Sequence, residues 1–410
     1  MTRNFKLFLG ATIIFYLIGA INNASAMYVL SAASLAVMLG AYVLSRAAVS
    51  GFRLSLTLPG DRAKAGATMP FTLHLENLRR ATRPTPTVTL RAENLTVADV
   101  GRGYRFVLPS VAPQATVEAD VAVECPARGR YEITEVSLEG IDPVGMFRRP
   151  RRFPVSLSFV AMPRIYSAPG IAAWELLSPV GRRLARTRRR DAGDFGGIRE
   201  YAPGDDLRHV HWKATAHTAR LAIKEFEQRQ DAEVAIWLDL SAPGAVGEGV
   251  DSSTEIGVSL AASMLHAFVR ADYSVQLIGD GLERSLALPS RGEAYLGRAL
   301  LSLAEAQPQG KQPFSATVME QVRWAGRAQA VFVITSGADP ALGDALAFCS
   351  AHGLSPTVFV VAPGGRLPDG TDPVARMRGV GVTAVVVGSM GGIPDGLRES
   401  AAIGERQLAG

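Results

Sequence analysis

Residues 234–238 read Val234-Ala235-Ile236-Trp237-Leu238, a continuous apolar run with the length of one buried β-strand. Similar runs occur at 275–278, 330–334, 358–361 and 382–387, and segments with helical periodicity separate them. Apolar strands that alternate with helices are typical of a mostly parallel sheet covered by helices on both faces. The sequence therefore predicts an α/β domain over residues 231–390, followed by a C-terminal tail at 391–410.

The N-terminus contains two uncharged segments, at 7–21 and 24–44. Each approaches the roughly 20 residues that an α-helix needs to cross a bilayer. We predict a transmembrane helical hairpin within residues 1–48, with spans of about 7–21 and 24–44. A cleaved signal peptide is the alternative, because Ala24-Ser25-Ala26 resembles a cleavage site. The second and longer apolar segment begins immediately afterwards, which favours the hairpin.

The charges around this hairpin predict its orientation. The cations lie on its outer sides and none lies in its turn: Arg3, Lys6, Arg46 and Arg53. The positive-inside rule then places both ends and the soluble domains in the cytoplasm, beneath the cell (inner) membrane, as a two-pass protein. The two cysteines, Cys125 and Cys349, are far apart in the sequence, which favours reduced, buried thiols over a disulfide scaffold.

Residues 49–165 have a different pattern, in which apolar and polar residues alternate in short runs such as Val117 to Val123. Gly and Pro separate these runs. Alternation with a period of two between turns predicts an antiparallel β-sandwich.

Positive charge is concentrated after this domain. Between Met146 and Arg190 the sequence has eleven arginines and one acid, Glu175. We interpret the segment as a solvated basic linker, assigned to residues 166–192, that pairs with acidic groups. Contact with anionic lipid is an alternative, since each Arg near a membrane surface adds about 1 kcal/mol of attraction. Nucleic acid is not a predicted partner, because no base-reading module accompanies the arginines.

Polar residues follow the first strand of the α/β domain, in the order Asp239-Leu240-Ser241-Ala242-Pro243. This segment resembles the start of the metal-ion-dependent adhesion site of the von Willebrand factor A fold, Asp-x-Ser-x-Ser. The resemblance implies a Rossmann-like α/β domain and Mg²⁺ bound by Asp239 and Ser241, since Mg²⁺ prefers oxygen ligands. Pro243 stands at the second serine position, and Ser336 stands where that fold supplies a further aspartate. These two departures favour a role in which Asp239 and Ser241 order the loop by hydrogen bonds, with Mg²⁺ binding as the alternative.

The segment 193–230 contains a dense polar run, Arg199-Glu200-Tyr201-Ala202-Pro203-Gly204-Asp205-Asp206-Leu207-Arg208-His209-Val210-His211-Trp212-Lys213-Ala214. It resembles the signature of the domain of unknown function 58 family, and we call residues 193–230 the signature segment. Two shorter motifs support the resemblance: Arg128-Gly129-Arg130-Tyr131 and Asp142-Pro143-Val144-Gly145-Met146-Phe147. The resemblance implies a membrane-anchored protein of unknown activity that is frequently encoded beside MoxR-type AAA+ ATPases and transglutaminase-like membrane proteins, which points to an adaptor or scaffold.

The residues themselves allow two interpretations of the signature segment. On a strand, Val210 and Trp212 would face the core while His209 and His211 shared the opposite face. With Asp205 and Asp206 nearby, such a face would suit a metal or acid–base site. Alternatively, the carboxylates of Glu200, Asp205 and Asp206 form ion pairs with Arg199, Arg208 or the upstream arginines, and the histidines make hydrogen bonds at a domain junction.

The predicted function is a membrane-anchored scaffold or adaptor that works with a MoxR-type AAA+ ATPase. No catalytic residue and no cofactor is predicted, because the chain has no nucleophile elbow, Walker loop, dinucleotide fingerprint or zincin motif. A metal-dependent hydrolase that uses the Asp and His residues of the signature segment is the alternative. A Mg²⁺-dependent ligand-binding module at Asp239 and Ser241 is the second alternative. The predicted partner-binding or structural residues are Arg199, Glu200, Tyr201, Gly204, Asp205, Asp206, Arg208, His209, His211 and Trp212.

Overall fold

The structure is a computed structural model, and it describes residues 2–83, 86–96, 102–167, 195–202, 210–218, 220–226, 233–323, 328, 330–354, 356–365 and 372–406. The chain divides into two compact units, residues 1–162 and 163–410. The first contains two apolar helices and two β-sheets, and the second contains two further sheets with helices. The finer domain boundaries predicted from the sequence stay predictions.

The first unit begins with two helices, α1 (Arg3–Asn22) and α2 (Ser25–Ala48), joined at Asn23 in the left-handed conformation. Both are long and apolar enough to cross a membrane, which fits a membrane anchor. Small polar residues join them: Thr12 Oγ1 and Ser34 Oγ are 2.7 Å apart, and the Ser31 hydroxyl donates to the Thr12 carbonyl at 3.1 Å. Short polar side chains of this kind allow helices to pack closely in an apolar environment.

Eight strands follow. They are β1 (Phe52–Thr57), β2 (Arg62–Lys64), β3 (Thr68–Asn77), β4 (Thr87–Asn94), β5 (Arg102–Val107), β6 (Thr116–Glu124), β7 (Gly129–Ile141) and β8 (Arg148–Met162). One sheet has the order β1-β3-β6 and the other β2-β8-β7-β4-β5, and all neighbours are antiparallel except β2 and β8. Alternate residues of both sheets, such as Leu73, Leu90 and Ile133, are fully buried in one shared core. We call residues 52–162 the β-sheet region.

The strand β8 contains the first arginines of the basic stretch 146–190, because it runs from Arg148 to Met162. These arginines lie before the predicted linker at 166–192. The remainder of that stretch from residue 168, including most of the predicted linker at 166–192, lies outside the described residues.

The motif at 128–131 forms the entry to β7. Gly129 has a φ of +126°, and a Cβ added to it would lie 2.6 Å from Thr96 Cβ and 2.8 Å from Asn94 Oδ1. No other residue fits this position without strain, because both the backbone conformation and the space require glycine. The Tyr131 hydroxyl donates to the Ala127 carbonyl at 2.9 Å. Arg128 is buried, and burial lowers the pKa of its guanidinium to about 9, so it stays charged at neutral pH.

The motif at 142–147 joins the β-sheet region to the helical hairpin. The Asp142 carboxylate closes the turn by accepting hydrogen bonds from the backbone N–H groups of Val144 (2.9 Å) and Phe147 (2.6 Å). The Thr2 hydroxyl donates to the carbonyl of Gly145 at 2.7 Å, and the Asn4 amide donates to that of Val144 at 3.0 Å. Apolar side chains complete the contact: Met38, Ala41 and Met146 are buried together, with Phe5, Phe8 and Phe147 packed against them. The hairpin is therefore packed against the β-sheet region.

The second unit contains β9 (Phe195–Glu200), α3 (Trp212–Thr218), β10 (Ala222–Phe226), β11 (Glu233–Leu238), α4 (Ser253–Arg270), β12 (Ser274–Ile278), α5 (Glu293–Glu305), α6 (Phe314–Val322), β13 (Ala330–Thr335), α7 (Leu342–Ala351), β14 (Pro356–Val361), α8 (Pro373–Gly379), β15 (Thr383–Val387) and α9 (Ile393–Arg406). A five-stranded sheet has the order β12-β11-β13-β14-β15, and all its neighbours are parallel. Helices bury both of its faces in two separate cores. The strands lie where the apolar runs predicted them.

The C-terminal end differs from the prediction. Residues 391–410 were predicted to be a tail, but α9 occupies 393–406, and its Ile393 and Leu397 are buried in the core of the sheet. Five residues of this 14-residue helix are charged, so its composition resembles that of an exposed segment.

Candidate functional site

In the signature segment, the described residues before and after 203–209 are hydrogen-bonded to the same stretch of chain, which contains β10 and Leu221. β9 pairs with β10 on one side, so that Arg199 lies opposite Ile223, and Val210 bridges to Ile223 from the other side. The Tyr201 N–H donates to the Leu221 carbonyl at 2.9 Å, and the His211 N–H donates to the Ala222 carbonyl at 2.8 Å. Tyr201 and His211 are therefore held by the adjacent carbonyls of Leu221 and Ala222.

His211 is the N-terminal cap of α3. Its Nδ1 accepts a hydrogen bond from the Ala214 N–H at 3.0 Å, and its carbonyl accepts from the N–H groups of Ala214 and Thr215, both at 3.0 Å. These contacts satisfy N–H groups of the first helical turn that have no partner within the helix. Since an acceptor nitrogen carries no proton, Nδ1 is occupied and only Nε2 remains to contact another group.

The helix also corrects the prediction of a strand through residues 209–213. Val210 is buried, as expected, but Trp212 is the first residue of α3 and is 71% exposed instead of facing the core. Val210, His211 and Trp212 alternate between apolar and polar, as the residues of a strand do, but of these three it is Val210 that forms a bridge to β10. Trp212 therefore does not face the core as predicted, whereas the predicted common face of His209 and His211 stays a prediction because His209 lies outside the described residues.

Glu200 has a partner that the sequence did not indicate. Its carboxylate accepts a hydrogen bond from the Arg220 guanidinium at 2.7 Å, and this bond raises the pKa of Arg220. Both side chains are well exposed, so the pair contributes little to stability. Glu200 was predicted to pair with Arg199, Arg208 or upstream arginines. Gly204, Asp205, Asp206, Arg208 and His209 lie outside the described residues, so their roles stay predictions.

Asp239 lies at the carboxyl edge of the five-stranded sheet and accepts three hydrogen bonds. Its Oδ1 accepts from the backbone N–H (3.0 Å) and the hydroxyl (2.6 Å) of Ser241, and its Oδ2 accepts from the Thr335 hydroxyl at 2.8 Å. Burial raises the pKa of the carboxyl, nearby Asp339 adds to this effect, and the hydrogen bonds oppose it. Asp239 thus connects the end of β11 to the end of β13.

The residues around Asp239 do not fit a complete Mg²⁺ site. Mg²⁺ requires about six oxygens in a near-octahedral arrangement. Both hydroxyls that contact the carboxylate already donate to it, Pro243 supplies no side-chain oxygen, and the Ser336 hydroxyl accepts from the Ala338 N–H at 3.3 Å. A Cβ on Gly244 would lie 2.7 Å from Ser241 Oγ, so the backbone fills the space beside the site. This geometry supports the loop-ordering role.

Sequence reasoning missed Thr335 and Gly244. Thr335 contacts Asp239 because β13 lies directly beside β11. The composition of strands does not predict their order in a sheet. The resemblance to the von Willebrand factor A fold had pointed to Ser336, one residue later. In the part of the chain that the structure describes, no group of three or more His, Cys, Asp or Glu side chains could hold a metal ion. Burial raises the pKa of Cys125 and of Cys349 to about 11, which makes both thiols unreactive at neutral pH.

Solved structures with some similarity to the chain do not define its fold. The structure of the structural genomics target SoR45 is 9% identical, with a TM-score of 0.19, and the match covers 27% of this chain and 88% of that one. Spo0M, a sporulation control protein from Bacillus subtilis, is 12% identical with a TM-score of 0.18, over 37% of this chain and 58% of that one. Such low TM-scores carry no structural argument.

Sequence comparison matches part of the chain to a protein family. The Uncharacterized protein YeaD of Bacillus subtilis (strain 168) is 26% identical over 140 residues, which are 34% of this chain and 33% of YeaD. The match therefore spans about a third of the relative. A family model matches residues 197–352, from the signature segment to the end of α7. The resemblance carried by the signature segment is thus confirmed: residues 197–352 match the family described as protein of unknown function DUF58.

Proposed function

We propose that this chain is a membrane-anchored scaffold or adaptor that presents its signature segment to a MoxR-type AAA+ ATPase. The observation that carries the proposal is the exposure of Trp212, which follows His211, a residue held to the Ala222 carbonyl by its N–H. A tryptophan that is 71% exposed contributes little to the core of its own chain. Tryptophan is also among the residues that most often dominate binding energy in protein interfaces.

Other residues of the signature segment support a docking role. Ile198 and Leu221 are 47% and 42% exposed, and the exposed Glu200–Arg220 pair adds both charges to the same segment. Apolar side chains beside polar ones are typical of protein interfaces, in which an apolar centre has a polar rim.

The proposal includes an orientation and a fold. Both ends of the hairpin and the two soluble regions face the cytoplasm, because Arg3 precedes the first residues of the apolar span and Arg46 lies in the last turn of α2. The five-stranded region is a von Willebrand factor A-like domain, supported by its parallel sheet and by Asp239 and Ser241 at the carboxyl edge. A transglutaminase-like membrane protein is a further candidate partner, by family resemblance alone.

The test measures capture of the ATPase by full-length protein in lipid nanodiscs. Trp212→Ala should weaken binding of the MoxR-type ATPase from the same cell by about 5- to 30-fold, the effect of losing an interface hot spot worth 1–2 kcal/mol. Leu288→Ala is the matched control, because Leu288 is 67% exposed and lies outside the signature segment. Neither change should alter the melting temperature, since both side chains lie at the surface.

Equal capture by the wild type and by Trp212→Ala would refute the proposed docking site. The same samples test the hydrolase alternative by elemental analysis. Stoichiometric transition metal that disappears in His209→Ala, without capture of an ATPase, would replace the scaffold with a metal-dependent enzyme.

A further inference from the structure

A basic cavity lies in the first unit, where the end of α2 meets the start of β8. Its volume is about 660 Å³, within the range of sites for small ligands. Four arginines and two aromatic residues line it: Tyr42, Arg46, Phe147, Arg148, Arg149 and Arg151. Residues of one helix and one strand thus surround a single space with four positive charges.

The walls of this cavity are held in place by specific contacts. The Arg149 guanidinium lies 4.6 Å from the centre of the Tyr42 ring, and that ring packs edge-on against Phe147 with their centroids 5.6 Å apart. Arg151 donates from Nη1 to the Val49 carbonyl at 3.1 Å. Both arginines are half-buried, so the cavity is preorganised and a ligand would not have to order these side chains.

The described part of the protein supplies no carboxylate that balances the positive charge in the cavity. Within the described residues, no carboxylate lies within ion-pair distance of any of the four lining arginines. Neighbouring arginines differ in this respect: Arg152 pairs with Glu135 at 3.7 Å, and Arg105 pairs with Glu139 at 2.6 Å. Four close cations repel one another, so an anion that entered the cavity would relieve this repulsion. The planar guanidinium suits a phosphate, because it can donate two parallel hydrogen bonds to its oxygens.

The position of the cavity along α2 identifies the source of this phosphate. α2 has 24 residues and is therefore about 36 Å long, whereas the hydrocarbon core of a bilayer is about 30 Å thick. Residues 24–45 carry no charge, and Arg46 lies in the last turn, so Tyr42 and Arg46 would emerge at the level of the lipid head groups. Tyrosine and arginine are the residues typical of that level.

We infer that this cavity binds the phosphate head group of an anionic phospholipid. Basic pockets beside transmembrane helices bind such head groups in other membrane proteins. The aromatic rings of Tyr42 and Phe147 supply an amphipathic edge, while the arginines contact the phosphate. This inference rests on the proposed membrane anchoring, and it does not depend on the proposed ATPase partner.

Native mass spectrometry of the full-length protein in detergent tests the inference, with phosphatidylglycerol and zwitterionic phosphatidylcholine as probes. The wild type should bind one phosphatidylglycerol at least about tenfold more tightly than phosphatidylcholine, given the attraction that each arginine adds. Arg46→Gln/Arg149→Gln should lose this preference. Arg105→Gln/Arg152→Gln is the matched control, since it removes the same charge from surface arginines outside the cavity, and it should keep the preference.

Two further measurements make the outcome decisive. Arg149→Lys should bind the lipid more weakly than the wild type but more tightly than the double glutamine variant, because lysine keeps the charge and loses the paired donors. Melting temperatures of all variants should agree with that of the wild type, which excludes unfolding as the cause. If both double variants lost phosphatidylglycerol binding to the same extent, the inference would be overturned. Lipid binding would then depend on the net charge of the protein and not on the cavity.

The experiment also separates the possible sources of phosphate and the two proposals. If glycerol 3-phosphate displaced the lipid at millimolar concentration and bound with the same affinity as phosphatidylglycerol, the assignment of the cavity to a lipid would be overturned. ATPase capture that is unchanged in Arg46→Gln/Arg149→Gln would leave the scaffold proposal intact whatever the lipid result. Extraction of the wild type from membranes by alkaline carbonate would instead refute the anchoring on which the inference rests.

Discussion

Replacing Gly140 with alanine should loosen the packing of α2 against β7. A Cβ added at Gly140 would lie 2.7 Å from Val49 Cγ1 and 2.9 Å from Ala48 Cβ, at the end of α2. Carbon atoms in contact normally lie about 3.5–4.0 Å apart, so the helix end would have to retreat by roughly 1 Å. Overpacking of this kind costs about 1–3 kcal/mol. The chain would lose part of the contact that joins its apolar hairpin to the β-sheet region.

Hydrogen exchange on the full-length protein in detergent measures this effect locally. Opening of peptides from residues 132–150 should become about 5- to 150-fold more frequent, the equivalent of 1–3 kcal/mol. Gly103→Ala is the matched control in the same sheet, because its added Cβ would meet only Thr89 Cγ2, at 3.8 Å. Gly103→Ala should leave exchange unchanged or slow it, since alanine in a strand loses less entropy than glycine. Unchanged exchange in Gly140→Ala would show that α2 does not pack on β7.

Three further predictions concern the second unit. Burial raises the pKa of the Asp239 carboxyl above its ordinary value of 3.8, so the wild type loses stability as pH rises through the raised pKa. Asp239→Asn does not titrate, so its free energy of unfolding should increase relative to that of the wild type as pH rises from about 4, and a difference between the two proteins that does not change with pH would contradict this. Gly244→Ala should lower the free energy of unfolding by about 1–3 kcal/mol, because the added Cβ would contact the Asp239 loop. Gly297→Ala, with nothing within 4 Å of the added Cβ, should raise the free energy of unfolding by roughly 0.5–1 kcal/mol. Thermal unfolding compares the two variants. His211→Ala should speed hydrogen exchange in α3, because it removes a helix cap worth about 0.5–2 kcal/mol. His211→Asn should restore protection, because asparagine is a good N-cap. Equal exchange rates in the two variants would exclude a capping role for His211.

The sequence predicts the elements of the α/β region well because burial imposes the pattern of each element separately. A strand such as 234–238 must be apolar throughout when helices cover both faces of its sheet, and that demand is visible without knowledge of its neighbours. The order of the strands is a different kind of information. β11 lies between β12 and β13, which brings Thr335 to Asp239 across a separation of 96 residues. No local pattern records that contact.

The signature segment shows where local patterns mislead. Val210, His211 and Trp212 alternate like a strand, yet His211 ends the extended chain and caps a helix. Histidine is an uncommon cap, and the usual sequence signals for the start of a helix are Ser, Thr, Asp and Asn. The exposure of Trp212 follows from this early start of α3. A short helix at this point therefore moves an aromatic residue from the predicted core to the surface.

The arginines of residues 146–190 are another case in which local patterns do not suffice. The sequence shows how many there are, but it does not show which of them lie close together in the structure. Alternation along β8 places Arg149 and Arg151 on the side of the cavity, while Arg152 on the other side pairs with Glu135. The motif at 142–147 then fixes the start of β8 against Thr2 and the helical hairpin. One short turn thus does two things: it joins the apolar helices to the β-sheet region, and it brings the β8 arginines to the end of α2. A lipid bound in that cavity would contact α2 and β8 together, so its head group would strengthen the same junction that the turn forms.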